Sequence, residues 1–500
     1  MLGLFKKSVE KVKGWFGERR EDAPEAPGNL TLRRWDSAET TRLNSAHWSR
    51  PIGQSVNADL VSDLETIRTR AAYEVANNED LEGVINTFAT DIGGCNGPKL
   101  QIRSDNKPFN EGLEYAWRKF WKKPDIRGML GGVDYIQLWV RNLFLNGEFV
   151  IQKVMDRTAK GPIALRWKGI APRRLATPPQ FIGDADVIMG VRQTPEGKPV
   201  EYFISDPLRM GAFFVDTSKY TAVPAKDLMH RFLVIEEDQA RGVPWLAVNL
   251  QSIADVRSYD AAVLKAAKNA ARMAVWLSTN HPDANYMELN ETTEIEDDMI
   301  GTLPPGWQPT QLDPKQPAIN YVDYRSERQR GLGRPRNMPL MMVRLDSSKH
   351  NYSSARFDSQ IYVRGCSVFR GWLDRGVLTD SVEDVKREVE LYAAANPRWK
   401  YASAFRNPPE EYECVWTWPG FPAVDKYKES LARDMNLRNG TEALSDALAE
   451  DGRDIETHAA VRKRDNEILA ASGLPPVPVE GPEDPAEDPD GDEKTATKAS

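Results

Sequence analysis

Histidine and cysteine are scarce in this 500-residue chain, with five of the first and three of the second. His47, His230, His281, His350 and His458 stand far apart in sequence, so a metal cluster is unsupported and no metal is expected. Cys95, Cys366 and Cys414 have neither metal nor disulfide spacing, which points to a reducing compartment. No run approaches the roughly 18 apolar residues of a transmembrane helix, and no stable membrane association is expected. The opening MLGLFKKSVEKVKGWFG has lysines but no continuous apolar core or small-residue cleavage site. It reads as a basic amphipathic segment, a mobile arm or one that packs on a neighbouring subunit. No internal repeat recurs at a fixed period. The phosphate loop is missing: GGCNGPKL fails G-x-x-x-x-G-K-[ST], and RGLGRPR (330–336) has G-x-G without the third glycine. There is no H-E-x-x-H, and no pair of carboxylates stands out as an acid and a base. No catalytic residue and no cofactor are therefore expected.

What is present is material for a large core: 40% apolar residues and fourteen tryptophans. Charge is unevenly spread. Residues 480–500 hold eight acids and two lysines, most of the net −8, and their Pro-rich, aromatic-free composition predicts a disordered tail. A second acidic stretch, HPDANYMELNETTEIEDD (281–298), has seven acids and no lysine or arginine.

Periodicity predicts a mainly helical α+β chain. A linker over 18–33 is followed by a helix pair over 58–93, stopped at Gly93-Gly94. KLQIRS reads as a strand. NEGLEYAWRKFWKK and VDYIQLWVRNLFLN read as helices, with a strand after the Asn146-Gly147 turn. Strands and loops fill 160–235. Residues 245–277 read as one long Ala-rich helix. YVDYRSERQR looks helical, whereas RGLGRPRNMPLMMVRLD does not. VEDVKREVELYAAA is helical, and two further helices follow WTWPGFP, one closed by Gly440 and the other drawn from EALSDALAEDG or DIETHAAVRKRDNEILAASG.

The stretch DSSKHNYSSARFDSQ (346–360) has the residue types of a nucleophilic hydrolase, but not the arrangement. A Ser-His-Asp triad is assembled from distant segments, and a nucleophile elbow needs flanking glycines. Asp346, Ser347 and Ser348 are turn formers, and Asn351, Ser353 and Ser354 are N-cap types. Phe357, Ile361, Tyr362, Val368, Phe369 and Trp372 then recur at helical spacing. The stretch reads as a polar loop that starts a helix.

Four phrases, in order, resemble the lambda-type portal proteins of tailed bacteriophages. They are IRTRAAYEVANNEDLEGVINTFATDIGG (67–94), HRFLVIEEDQARGVPWLAVNLQSIADVRSY (230–259) with its Gln-x-Arg-Gly, LDSSKHNYSSARFD (345–358), and VWTWPGFPAVDKYKESLARDMNLRNGTEALSDALAEDGRDIE (415–456). The matches span about residues 35–475. One departure lies at ERQRGLGRPRNMP, where the family tends to carry small apolar residues on a helix.

The resemblance implies a portal fold assembled as a ring of identical subunits, commonly twelve, at one capsid vertex. Double-stranded DNA would pass through it in packaging and ejection. It implies an N-terminal arm and linker (1–34), an α/β wing (35–245), a stem helix (246–278), a small α/β clip (279–322) and a second stem helix (323–338). A tunnel loop (339–352), a helix under the wing with its return (353–421), crown helices (422–475) and the acidic tail (476–500) complete the chain. Arg344, Lys349 and His350 would be the charges nearest DNA. Glu294, Glu296, Asp297 and Asp298 of the clip would dock partners, and Arg356 would pair with a carboxylate of a neighbouring subunit. Tyr352 would face either the core or DNA. Implied partners are the terminase large subunit, then a head-completion or tail adaptor, and the major capsid protein. The implied location is the virion, after assembly in the host cytoplasm. The alternative is a nucleic-acid-processing packaging enzyme built on Asp346, His350 and Ser354.

Overall fold

Apolar residues three and four apart build the first helices of the chain, seen in a computed structural model that describes residues 55–159, 161–206, 216–272, 276–279, 307–310, 321–348, 350–421 and 426–476. Helix α1 (Val56–Asn77) is capped by Ser55, and α2 (Glu79–Gly93) by Asn78, whose side chain accepts from the Leu81 amide. Asn78 is extended, so the predicted helix pair is broken at that one residue. Strand β1 (Lys99–Arg103), α3 (Lys107–Lys122) and α4 (Gly132–Asn146) follow. The inward faces of α2, α3 and α4 carry Ile85, Phe88, Phe109, Trp117, Phe120, Tyr135 and Trp139, all buried. A fully buried large side chain contributes about 1.5–3 kcal/mol, so this aromatic layer is the main source of cohesion.

Strand β2 (Glu148–Met155) is central in a three-stranded antiparallel sheet, between β3 (Leu165–Ile170) and β8 (Leu228–Phe232). A second antiparallel sheet orders β4 (Val187–Ile188), β5 (Val191–Gln193), β6 (Pro199–Asp206) and β7 (Asp216–Pro224). A small satellite core of Val150, Ile170, Leu175, Val191, Tyr202, Ile204, Val223 and Leu228 joins the two sheets.

The long helix predicted over 245–277 is shorter at both ends. Helix α5 spans Leu250–Arg272. Before it, the Trp245 amide donates to Leu143 O at 3.0 Å, which holds the 244–249 turn against the end of α4. After it, β9 (Trp276–Thr279) pairs antiparallel with β10 (Trp307–Thr310). The stretch RGLGRPRNMPLMMVRLD is also corrected. Helix α6 (Tyr321–Gly333) runs through its first residues, a 3₁₀ turn covers Arg334–Arg336, and α7 (Leu340–Arg344) is helical. Pro335 ends the first helix, and burial of Met341 and Val343 stabilises the short one.

Helix α8 (Tyr352–Leu373) passes through a π-helical turn (Asp374–Leu378) into α9 (Thr379–Ala395). On α8 the apolar spacing divides: Tyr362 and Phe369 are buried, whereas Phe357 and Val368 are 63% and 69% exposed. The chain returns through α10 (Ala402–Arg406) to β11 (Glu413–Thr417), which pairs with β1 across more than 300 residues. Helices α11 (Lys426–Arg438), α12 (Leu444–Glu450) and α13 (Ile455–Ala471) close the described part, so both of the alternative last segments are helical. No described helix is long and apolar enough to cross a membrane.

Candidate functional site

The Gln-x-Arg-Gly phrase is explained by a buried ionic hub. The α4–β2 turn, Asn146-Gly147-Glu148, meets Arg241-Gly242-Val243 backbone to backbone. A Cβ on Gly242 would stand 2.1 Å from Gly147 O, and one on Gly147 would stand 2.2 Å from the Val243 carbonyl carbon, so no other residue fits either position. The approach brings Arg241 onto Glu148, with Nε 3.0 Å from Oε1. Glu148 also accepts from Arg68 at 2.8 Å and the Gly242 amide at 2.8 Å, and His230 Nε2 lies 2.9 Å from Oε2. The side chains of Arg68, Glu148, His230 and Arg241 are all at most 3% exposed. Further donors are matched by backbone carbonyls: Arg241 reaches Pro172 O and Leu175 O, and Arg68 reaches Asn146 O. Burial pushes the Glu148 carboxyl up, but Arg241, then His230 and Arg68, more than reverse this and hold it well below 4.5. Burial holds His230 below 6.5 despite Glu148.

Below this hub, α5 and α6 lie antiparallel. Tyr321 donates to Asp260 at 2.9 Å at one end, and Asn249 donates to Gly331 O at 3.2 Å at the other. Gln329 and Arg325 bind Asp80 at 2.9 and 3.4 Å, which fixes α6 to the first turn of α2. The chain then turns through α7 into the predicted loop. Leu345 is left-handed (φ 52°) and 81% exposed at the tip. A non-glycine residue there is uncommon, and its conformation turns the chain sharply back from α7.

The predicted loop residues separate into those with tethers and those without. Arg344 donates to Ser326 Oγ at 3.0 Å and lies 3.9 Å from Asp346, so its guanidinium folds back toward α6. Asp346 accepts from the Ser348 amide at 3.0 Å, and Ser347 O accepts from the His350 amide at 3.1 Å, as turn residues do. His350 Nδ1 is buried without a partner among the described residues. Asn351, rather than Ser353, caps α8: its Oδ1 accepts from the Ser354 amide at 2.9 Å. The Ser354 hydroxyl also bonds Asn351, at 2.9 Å, and so belongs to the cap. Tyr352 is 48% exposed and does not face the core. Arg356 is exposed and makes no ion pair with a described residue. Lys349, Glu294, Glu296, Asp297 and Asp298 lie outside the described residues, as do residues 1–54, most of 279–322 and 477–500.

Helix α8 is anchored from behind by Arg370. Its guanidinium donates to Ile92 O, Asp91 O and Pro419 O, at 3.2, 2.6 and 2.9 Å, and its carbon lies 4.6 Å from the Phe421 ring centre. A cation on the last carbonyls of α2 is favoured by the helix dipole. One turn on, both oxygens of Asp374 lie 3.0 Å from Trp418 Nε1, and burial pushes this carboxyl up to about 6. The Gly-rich stop, the NYSSAR helix and the Trp-x-x-Pro-Gly phrase therefore meet in one place. None of these groups forms a nucleophile–base pair. The arrangement is suited to holding a loop between two rigid helices.

A family model described as "Phage portal protein, lambda family" matches residues 41–370. A probable portal protein of Halomonas phage phiHAP-1 is 22% identical over 487 residues, covering 91% of this chain and 90% of the relative. Among solved structures, the neck of an empty GTA particle matches with TM-score 0.45 and 13% identity, over 86% of this chain and 96% of that one. An HK97-family phage portal protein from Corynebacterium diphtheriae matches with TM-score 0.29 and 12% identity, over 57% and 82%.

Proposed function

The chain belongs to the lambda family of phage portal proteins, and from that premise we propose that it assembles head to tail with copies of itself into a ring that conducts double-stranded DNA. The family match over residues 41–370 carries this reading. A head-to-tail interface is heterologous and must close on itself, and twelve subunits is the expected count. The sheets and helices up to residue 245 serve as the wing, α5 and α6 as the stem, and the β9–β10 pair with the acidic segment between them as the clip. Segment 339–352 is the tunnel loop, α8 runs beneath the wing, and α11–α13 form the crown. The ring sits at the capsid's portal vertex after assembly in the host cytoplasm. It meets the major capsid protein, docks the terminase large subunit, and then binds a head-completion or tail adaptor.

The chain has no catalytic activity of its own in this reading. Packaging is driven by the terminase, and the phosphate-loop pattern is missing from this sequence. The hydroxyl of Ser354, bonded to the Asn351 cap, supports the same view.

A conduit needs contacts with DNA that are weak and easily broken. Phosphate contacts carry no sequence information and weaken as salt rises. A few charges on a loop between rigid helices supply this, and in Arg344 the internal contacts with Ser326 and Asp346 compete with DNA. Cross-linking in DNA-filled heads tests the assignment: peptides from 341–350 should carry nucleotide adducts. Heads in which this segment never links to DNA, while other segments do, would remove it from the channel.

A further inference from the structure

Four arginines, Arg328, Arg330, Arg334 and Arg336, crowd the end of α6 and the turn after it. Three are exposed to solvent. Arg330 pairs with Glu327 at 2.6 Å, Arg334 donates to Asn337 Oδ1 at 2.9 Å, and Arg328 lies over the Tyr324 ring. Arg336 is different. Its guanidinium carbon lies 3.9 Å from the centre of a Trp245 ring, which covers one flat face. Its Nε is shut off from solvent and has no acceptor among the described residues. No carboxylate among the described residues pairs with it. Burial without a compensating anion pushes its pKa from 12.5 down to about 10. A guanidinium taken out of water is strongly disfavoured unless paired, and stacking on an indole recovers only part of the loss.

We infer that Arg336 is one half of an ion pair whose carboxylate is supplied by a second copy of this chain. The inference rests on the ring reading, which alone places a second copy permanently beside each subunit. Three observations favour that occupant over DNA. First, the guanidinium is recessed: Trp245 covers one face, and Nε is shut off from solvent. The planar fork of such a guanidinium suits a carboxylate held in place beside it. Second, a moving duplex would leave the charge unpaired between contacts, whereas a neighbouring subunit is resident. Third, the chain carries 74 acidic residues against 66 basic ones, so a second copy offers many carboxylates.

The test uses the full-length chain with Arg336→Lys, assembled from a mixture of unlabelled and ¹⁵N-labelled protein. A zero-length carbodiimide joins the substituted amine to a carboxylate in contact, and mass spectrometry reads the isotopes of the linked peptides. Links between one light and one heavy peptide are expected. Links confined to one isotope would put the carboxylate in the same chain, and intact rings without any link would leave no partner; either result overturns the inference. Arg336→Gln gives a second readout. Dissociation of the ring on dilution, followed by light scattering, should rise about thirtyfold. Retention on double-stranded DNA should keep its salt dependence. An unchanged ring whose salt slope falls by about one would identify a phosphate as the partner and overturn the inference. A wild-type chain that forms no ring removes the ring reading and this inference together, whereas rings with only same-isotope links remove this inference alone.

Discussion

Glu148→Gln should be among the most destabilising single-atom exchanges in the molecule. The carboxylate is fully buried between Arg68, Arg241 and His230. Removing one partner of a buried ion network costs about 3–5 kcal/mol, because the remaining charges stay buried and unpaired. The backbone carbonyls of Asn146, Pro172 and Leu175 still accept from the two guanidiniums, which puts glutamine near the lower end, about 3 kcal/mol. Alanine, which accepts nothing, should approach the upper end. Against a typical total of about 5–15 kcal/mol, either is a large loss. Urea unfolding followed by tryptophan fluorescence measures it, since Trp139 and Trp167 lie in the adjoining core. Arg241→Gln with Glu148→Gln should cost less than the two single changes added, by about 2 kcal/mol. A Glu148→Gln cost below about 1 kcal/mol, or strictly additive effects, would refute the electrostatic account of the hub. The pH dependence has a definite sign. The folded Glu148 pKa lies below its usual 4.5, so its contribution is complete above that pH and is lost as pH falls toward the folded value. His230 lies below 6.5 when folded, so below that pH the unfolded chain takes up a proton that the folded chain does not. The hub's contribution to stability, read as the difference between wild type and hub variants, should therefore start to fall below pH 6.5 and fall further below 4.5, and Glu148→Gln should remove the second decline from that contribution.

Gly242→Ala forces a Cβ to 2.1 Å from Gly147 O and should yield little soluble protein; normal expression and an unchanged urea midpoint would contradict the close backbone approach. Asn351→Ala removes the cap of α8 and should cost about 1 kcal/mol, and Asn351→Ser should restore most of it in the same unfolding assay. Asp374→Asn should stabilise the chain at pH 8, where the carboxyl is held ionised above its folded pKa of about 6, and the gain should shrink at pH 5; the opposite trend would contradict the sign of the shift. Neutralising Glu294, Glu296, Asp297 and Asp298 together should weaken binding of purified terminase or adaptor while leaving the ring's mass unchanged, and full binding by this variant would place the docking surface elsewhere.

Local order was legible in the sequence where local chemistry sets it. The Asn146-Gly147 turn, the loop before α8 and the stop at Gly440 follow from turn and cap residues that act on their immediate neighbours. The long helix was overextended because propensity favours it, whereas hydrogen bonds from Trp245 and Leu246 to the end of α4 hold its first residues in turns. The hub was not legible as a hub. Arg68, Glu148, His230 and Arg241 are separated by 11 to 173 residues, and spacing does not say that they meet. The available signal was Arg241-Gly242 itself: a glycine beside an arginine suggests a close backbone approach, but not its partner. The β1–β11 pairing was hidden for the same reason, since neither five-residue strand names the other. On α8, Phe357 and Val368 share the helical spacing of Phe369, yet remain exposed on this subunit.

Multi-angle light scattering of the purified full-length chain at physiological salt tests the central claim most directly. The account predicts a discrete species about twelve times the 56.3 kDa subunit mass, stable on dilution. A monomer or dimer that persists at every protein concentration would contradict it.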